Sequence, residues 1–117
     1  MPNQEAALDS TFHALADSTR RAVLARLSQG TASVTELAAP FDMALPSFLQ
    51  HLKVLEESGL IRSHKVGRVR TCAVNSHSLQ AVESWLTAQR TLWEQRLDQL
   101  DAYLMELKEQ HADEADL

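Results

Sequence analysis

The sequence predicts a mainly α-helical fold with one small β-hairpin, and three observations support this fold class. Glycine and proline are scarce, with three of each in 117 residues, and apolar residues make up 44% of the chain. Four helical patterns of apolar residues are separated by short breaks, and a fifth runs without glycine or proline for more than 30 residues. Only one segment alternates as a hairpin does. The length and composition indicate one ordered domain, predicted to span residues 1–117.

The first two helices are predicted near the N-terminus. One covers roughly Glu5 to His13. The next begins in ADSTRRAVLARL, where Asp17 or Ser18 can cap it and apolar residues recur at helical spacing. Arg20 and Arg21 open this helix, where a cation opposes the helix dipole. Pairing of one of them with Asp17 is therefore an alternative to a contact with an anionic partner.

The next two helices are predicted to form a helix, a tight turn and a second helix. SVTELAAPF predicts a short helix capped by Ser33 or Thr35. After the link FDMA, a longer helix begins near Pro46, because proline is tolerated in a first helical turn, and it stops at Gly59. The apolar residues of this longer helix form one stripe, so its polar residues lie on another face.

A two-stranded hairpin follows in the stretch LIRSHKVGRVRTCAV. Apolar and polar residues alternate on both sides of a glycine, which predicts a hairpin with its tip at Val66 to Arg68. The only cysteine, Cys72, excludes an internal disulfide and a cysteine-rich metal site. It is predicted to be a small apolar strand residue, with a redox-sensing thiol that pairs between subunits as the alternative.

The fifth helix is predicted over residues 76–110, followed by an acidic tail at residues 111–117, with a core of residues 1–75 before it. Such a helix would be about 50 Å long, more than a domain of this size covers by itself. The alternative, a helix lying across its own domain, would leave a large apolar stripe exposed. A homodimer is therefore predicted. The predicted dimerisation residues are spaced seven apart, with two more four residues later: Leu79, Leu86, Trp93, Leu97, Leu100, Leu104 and Leu107.

Charge is distributed unevenly along the chain. The net charge is −5, yet residues 20–70 contain eight Lys and Arg against four Asp and Glu. The middle of the chain is therefore suited to face a polyanion, while the acidic ends repel it. No long apolar run and no signal-peptide pattern occur, so no membrane association and a cytoplasmic location are expected. No phosphate loop, acid and base pair, or nucleophile motif appears, so neither catalysis nor a cofactor is expected.

In this order and spacing, the motifs HALADSTRRAVLARL, VTELA, SFLQHLKVLEESGLI and KVGRVRT resemble the ArsR family of winged helix-turn-helix repressors over roughly Leu8 to Val82. The resemblance implies that the helix from about Leu45 to Ser58 is a recognition helix for the DNA major groove, and that the hairpin is the wing. The two-fold symmetry of the homodimer predicted from the long helix would match a palindromic operator in double-stranded DNA.

Seven residues are the candidate DNA contacts. Gln50 suits the edge of adenine, and Ser47 is placed to reach a base or a phosphate. For His51, donation to phosphate and helix packing are both open; for Lys53, a phosphate contact and solvated surface are both open. Around the wing glycine, three cations are expected to lie along the backbone or enter a minor groove. The set is Ser47, Gln50, His51, Lys53, Lys65, Arg68 and Arg70.

The sequence departs from the family at its metal sites. Where the resemblance places thiolate ligands, this chain has Ser33, Thr35 and Ala38; where it places carboxylate and imidazole ligands, the chain has Ser76, Ser78, Gln89 and Leu92. No metal response is therefore expected, and an unknown small-molecule effector stays open. Leu45 and Leu49 also replace polar residues of many relatives. The alternative function is a coiled-coil protein-interaction module without specific DNA binding.

Overall fold

A computed structural model describes residues 4–115. Residues 1–3 of the predicted core and residues 116–117 of the predicted acidic tail lie outside the described residues. The chain folds into five helices and three strands within the described range. In order these are α1 (Gln4–Leu15), α2 (Ser18–Leu27), β1 (Ala32–Ser33), α3 (Val34–Ala38), α4 (Leu45–Glu57), β2 (Ile61–Val66), β3 (Val69–Val74) and α5 (Ser76–Ala115). The predicted fold class is confirmed.

Side-chain caps start the two helices that follow α1. Asp17 caps α2 by accepting a hydrogen bond from the backbone N–H of Arg20 at 3.1 Å, which lowers the pKa of its carboxyl group. Ser33 caps α3 by accepting from the N–H of Glu36, and its hydroxyl donates to the Glu36 carboxylate at 3.2 Å. The Ser33 hydroxyl therefore satisfies one free N–H at the start of α3 and also holds the Glu36 side chain over that end. Of the predicted pairs of cap residues, Asp17 and Ser33 are the ones that cap.

The helix α4 begins and ends as its sequence predicts. Pro46 lies in its first turn. At the other end, the N–H of Leu60 bonds to the carbonyl of Leu55 at 3.1 Å, and the N–H of Gly59 bonds to that of Glu56 at 3.0 Å. This is a Schellman motif, which requires the positive φ of +80° found at Gly59.

The sheet has three antiparallel strands in the order β1, β3, β2, one more than the predicted hairpin. Ala32 pairs with Cys72 and Ser33 with Thr71. A strand of two residues carries no alternating pattern, so sequence periodicity did not predict it. Its pairing fastens the start of α3 to the wing.

A small apolar core holds α1 to α4 and the sheet together. Phe48 stacks on Phe41 with ring centroids 5.5 Å apart, and Leu79 from the start of α5 packs against the same core. The fully buried larger side chains are Phe48, Leu55, Leu60, Val23 and Cys72. Burial raises the pKa of the Cys72 thiol, so it is a core thiol in this structure.

The chain divides into two compact units, the first ending at Val82 and the second beginning at Glu83. The second unit is the remainder of α5, which ends at Ala115 and so extends past the predicted boundary at residue 110. None of the described helices is both long and apolar enough to cross a membrane.

Candidate nucleic-acid interface

The outward face of α4 presents the polar residues that the sequence singled out. Phe48, Leu52 and Leu55 point into the core at three- and four-residue spacing. Ser47, just before Phe48, and Gln50, between Phe48 and Leu52, fall off this buried stripe and are exposed. A helix held by one apolar stripe, with polar side chains opposite, has the form needed to enter a major groove.

Two leucines also lie on the outside of α4. Leu45 is 56% exposed and Leu49 is 42% exposed. A leucine can contact the methyl group of thymine but offers no hydrogen bond to a base edge. The face therefore combines the amide and hydroxyl of Gln50 and Ser47 with apolar contact area.

The wing is a tight hairpin that carries three exposed cations. Val66 pairs with Val69, so Gly67 and Arg68 form a two-residue turn, with Gly67 at a φ of +62°. Lys65 and Arg70 are register partners in the next pair of the ladder. Lys65, Arg68 and Arg70 are exposed and make no ion pair with any residue between 4 and 115. Their charges are thus available to an anion.

An open depression of about 380 Å³ lies between α4 and the wing. Its lining combines Leu49 of α4, the start of α3 and the wing cations: Ser33, Val34, Thr35, Leu49, Lys65, Arg68, Val69 and Arg70. A second depression of about 370 Å³ includes Gln50, Lys53 and Arg70. Arg70 lines both depressions and so joins Gln50 and Lys53 of α4 to the other wing cations, whereas Ser47 and His51 line neither depression. Sequence motifs did not single out Ser33 and Thr35 as part of the first depression, because the pairing of β1 with β3 places them there.

Lys53 and His51 differ from the exposed wing cations. The ammonium of Lys53 lies 4.0 Å from the Glu57 carboxylate one turn later, and both side chains are largely exposed. Such a pair adds little to stability, so it leaves Lys53 able to turn toward another anion. His51 is half-buried, and its Nδ1 lies 3.1 Å from Nη1 of Arg20. His51 therefore packs between helices, which is one of the two roles that sequence left open for it.

Arg20 and Arg21 satisfy the end of α1. Arg20 donates to the carbonyls of His13 and Ala14, and Arg21 donates to that of Leu15 at 2.8 Å. These carbonyls belong to the last turn of a helix, where cations and donors are favourable. Pairing of one of these arginines with Asp17 was the alternative left open. The Asp17 carboxylate accepts from the backbone N–H of Arg20 and lies 3.7 Å from Nδ1 of His51.

The second unit exposes a long apolar stripe along α5. Trp93 is 62% exposed and Leu97 is 56% exposed. Leu86, Leu100 and Leu104 are also exposed, and Leu107 is half-buried. Leu79, the first residue of the predicted dimerisation set, differs because it packs in the first unit. A long exposed apolar stripe of this kind is typical of an interaction surface.

Two of the positions where the resemblance places metal ligands, Ser33 and Ser78, hydrogen-bond to the backbone here. Ser33 caps α3 and Ser78 donates to the carbonyl of Ser58 at 3.3 Å. In residues 4–115, no group of three or more His, Cys, Asp or Glu side chains is arranged to hold a metal ion.

Comparison with known proteins places this fold among transcriptional regulators. A family model described as a helix-turn-helix domain matches residues 15–64. The crystal structure of the ArsR family transcriptional regulator RHA00566 is similar with 60% identity and a TM-score of 0.76, covering 80% of this chain and 97% of that one.

Two relatives are similar in sequence. The HTH-type transcriptional regulator Rv2034 of Mycobacterium tuberculosis is 37% identical over 76 residues, which cover 65% of this chain and 71% of the relative. The transcriptional repressor SdpR of Bacillus subtilis is 29% identical over 79 residues, covering 68% of this chain and 88% of the repressor. Both relatives are named as regulators of transcription.

Proposed function

Because the chain belongs to the ArsR family of winged helix-turn-helix transcriptional regulators, we propose that it is a homodimeric repressor that occupies promoter DNA without responding to metal ions. DNA-binding regulation of transcription is the activity of the family, whose members are regulators and not enzymes. The proposal adds the oligomeric state, the direction of regulation, the residues and the absence of a metal signal.

The observation that carries the proposal is the shared surface of α4 and the wing. Arg70 of the wing lines one depression with Gln50 and Lys53 of α4. It lines the other with Lys65 and Arg68, although the protein as a whole carries a charge of −5. In this arrangement α4 reads base edges in the major groove and the wing holds the phosphate backbone.

Each candidate residue has a role in this proposal. Gln50 and Ser47 contact bases, and Lys53 and His51 contact the backbone beside α4. The cations Lys65, Arg68 and Arg70 bind phosphate or the adjacent minor groove. Base contacts give sequence preference, while phosphate contacts give affinity and its dependence on salt.

The exposed stripe on α5 supports the homodimer. A second copy of the same helix would cover Trp93, Leu97, Leu100 and Leu104 with identical residues around a two-fold axis. Two recognition helices related by that axis suit a palindromic operator. Repression is supported by the similarity to SdpR, and it would result from occupying DNA that RNA polymerase needs.

A titration of labelled duplexes followed by fluorescence anisotropy tests the proposal. The duplexes are a random sequence and the promoter fragments that the protein retains from its own genome. We expect weak affinity for random DNA that falls steeply with salt, and tighter binding to a retained fragment. Affinity that is absent at low salt would contradict DNA binding and favour the coiled-coil interaction module.

A further inference from the structure

The side chain of Arg20 links three helices at the edge of the candidate interface. Its Nε donates to the carbonyl of Ala14 at 2.8 Å, and its Nη2 donates to that of His13 at 3.0 Å, both at the end of α1. Its Nη1 lies 3.1 Å from Nδ1 of His51 in the middle of α4. Arg20 itself lies in the first turn of α2, so one guanidinium group joins α1, α2 and α4.

This contact determines which ring nitrogen of His51 carries the proton. A guanidinium group only donates hydrogen bonds, so Nδ1 must accept with its lone pair. In a neutral imidazole the proton is then on Nε2. The Asp17 carboxylate favours a proton on Nδ1, but its oxygen is 3.7 Å away, beyond hydrogen-bond distance. The nearer guanidinium group therefore determines the tautomer of His51, with the proton on Nε2.

The other ring nitrogen is not completely buried. Hydrogen bonds among the described residues reach Nδ1 of His51 and leave Nε2 without a partner. No buried side-chain nitrogen or oxygen among those residues lacks a partner. It follows that Nε2 is accessible, on the residue that follows Gln50 along α4.

We propose that Arg20 is a positioning residue that holds His51 as its Nε2–H tautomer, so that His51 presents an oriented hydrogen-bond donor to a DNA phosphate. The inference rests on the proposed function, because it needs α4 to lie against DNA. One ring then serves both roles that sequence left open for His51. Nδ1 accepts from Arg20 and so holds the helices together, while Nε2–H donates to phosphate. A phosphate contact beside Gln50 fixes the register of the helix without reading sequence.

The tautomer is measured in the free protein by nitrogen-15 NMR of the histidine rings, at a pH well above the ordinary histidine pKa of about 6.5. We expect a protonated Nε2 and an unprotonated Nδ1 for His51, and a mixture of tautomers in Arg20→Met. A wild-type His51 that carries its proton on Nδ1 would overturn the inference.

A pair of matched arginine variants separates positioning from charge. Arg20→Met and Arg21→Met remove the same charge from the same turn. The first frees two carbonyls of α1 and the second frees one, but only Arg20 contacts His51. We expect Arg20→Met to weaken binding to cognate and random duplexes roughly tenfold, and Arg21→Met to stay within about twofold. Equal losses in two folded variants would overturn the role of Arg20.

A second pair of variants tests His51 directly, and decides the matter if Arg20→Met does not fold. His51→Asn keeps an acceptor near the position of Nδ1 but has no donor at that of Nε2, whereas His51→Gln can place its amide N–H₂ there. We expect His51→Gln to recover most of the affinity that His51→Asn loses. Failure of the glutamine to recover it would contradict the Nε2 donor.

The outcomes distinguish this inference from the proposed function. If wild-type protein binds no duplex at low salt, the proposed function fails and the inference fails with it. If it binds but the tautomer or the variant pairs disagree, the inference alone is wrong.

Discussion

Gln50 is an exposed amide on the outward face of α4, where a base edge would lie. Replacing it with alanine removes a donor and an acceptor without disturbing the buried stripe of Phe48, Leu52 and Leu55. We expect Gln50→Ala to cost about 1 to 3 kcal/mol of binding free energy on the cognate site and little on random DNA. Anisotropy titrations on both duplexes measure this, and equal losses on the two would exclude a base contact.

Arg68 is the residue at the tip of the wing, and its contribution should be electrostatic. We expect Arg68→Ala to weaken binding to cognate and random duplexes alike, and to reduce the salt dependence by about one phosphate contact per subunit. Arg62→Ala is the matched control, because Arg62 is an exposed arginine of β2 that does not line the depression. A salt series that gives the same slope for wild type and Arg68→Ala would contradict the backbone contact.

Alanine substitutions at two glycines with positive φ distinguish the cost of backbone strain from the cost of a steric clash. A Cβ at Gly59 would lie 2.8 Å from the Ser78 hydroxyl oxygen, whereas one at Gly67 would meet no atom within 4 Å. We expect Gly67→Ala to cost about 1 to 2 kcal/mol of unfolding free energy from backbone strain alone, and Gly59→Ala to cost more.

Urea denaturation at one fixed protein concentration measures both costs, because a dimer's stability depends on concentration. Adding Ser78→Ala to Gly59→Ala should recover part of the difference, since it removes the clashing atom. An equal loss of unfolding free energy at the two glycines would show that the Ser78 hydroxyl moves away from the added Cβ at no cost.

At the scale of elements, α5 offers the clearest prediction, because its apolar stripe is exposed in the single chain. Replacing Leu97 and Leu104 together with glutamate places four like charges in a symmetric dimer seam. We expect this double variant to sediment as a monomer and to bind the operator more weakly than wild type. The control is Gln95→Glu with Ala102→Glu, which adds the same charges at the same spacing on another face of the helix. A dimer in both variants would place the interface elsewhere.

The elements also differ in how well sequence predicted them. The helices, the hairpin turn and the stop at Gly59 were predicted because each depends on residues within a few positions of one another. The strand β1 was missed because Ala32 and Ser33 become a strand only when β3 lies beside them. The candidate site divides in the same way, since Gln50 and Arg68 stand out locally whereas Ser33 and Thr35 join the site through tertiary contacts.

At the scale of the whole molecule, the absence of a metal response is a testable part of the proposed function. The family's thiolate positions carry Ser33 at the N-cap of α3 and Thr35 and Ala38 within it, so no thiolate is available there. We expect stoichiometric zinc, cadmium or arsenite to leave operator affinity unchanged within about twofold, given that a coupled effector typically changes it 5- to 150-fold. Release of DNA by a metal, reversed by a chelator, would contradict this prediction.

Sequence by itself determined the fold class, the order of the five helices and the hairpin, the heptad pattern of α5 and the basic middle of an acidic chain. Each of these is written in local spacing or in composition, which do not depend on how the helices dock. The tertiary structure decided what local spacing cannot encode. It brought Arg20 to His51 across 31 positions of sequence, and it packed Leu79 into the core while leaving Trp93 exposed. Such contacts depend on the docking of whole elements, because side chains far apart in sequence meet only after their helices pack.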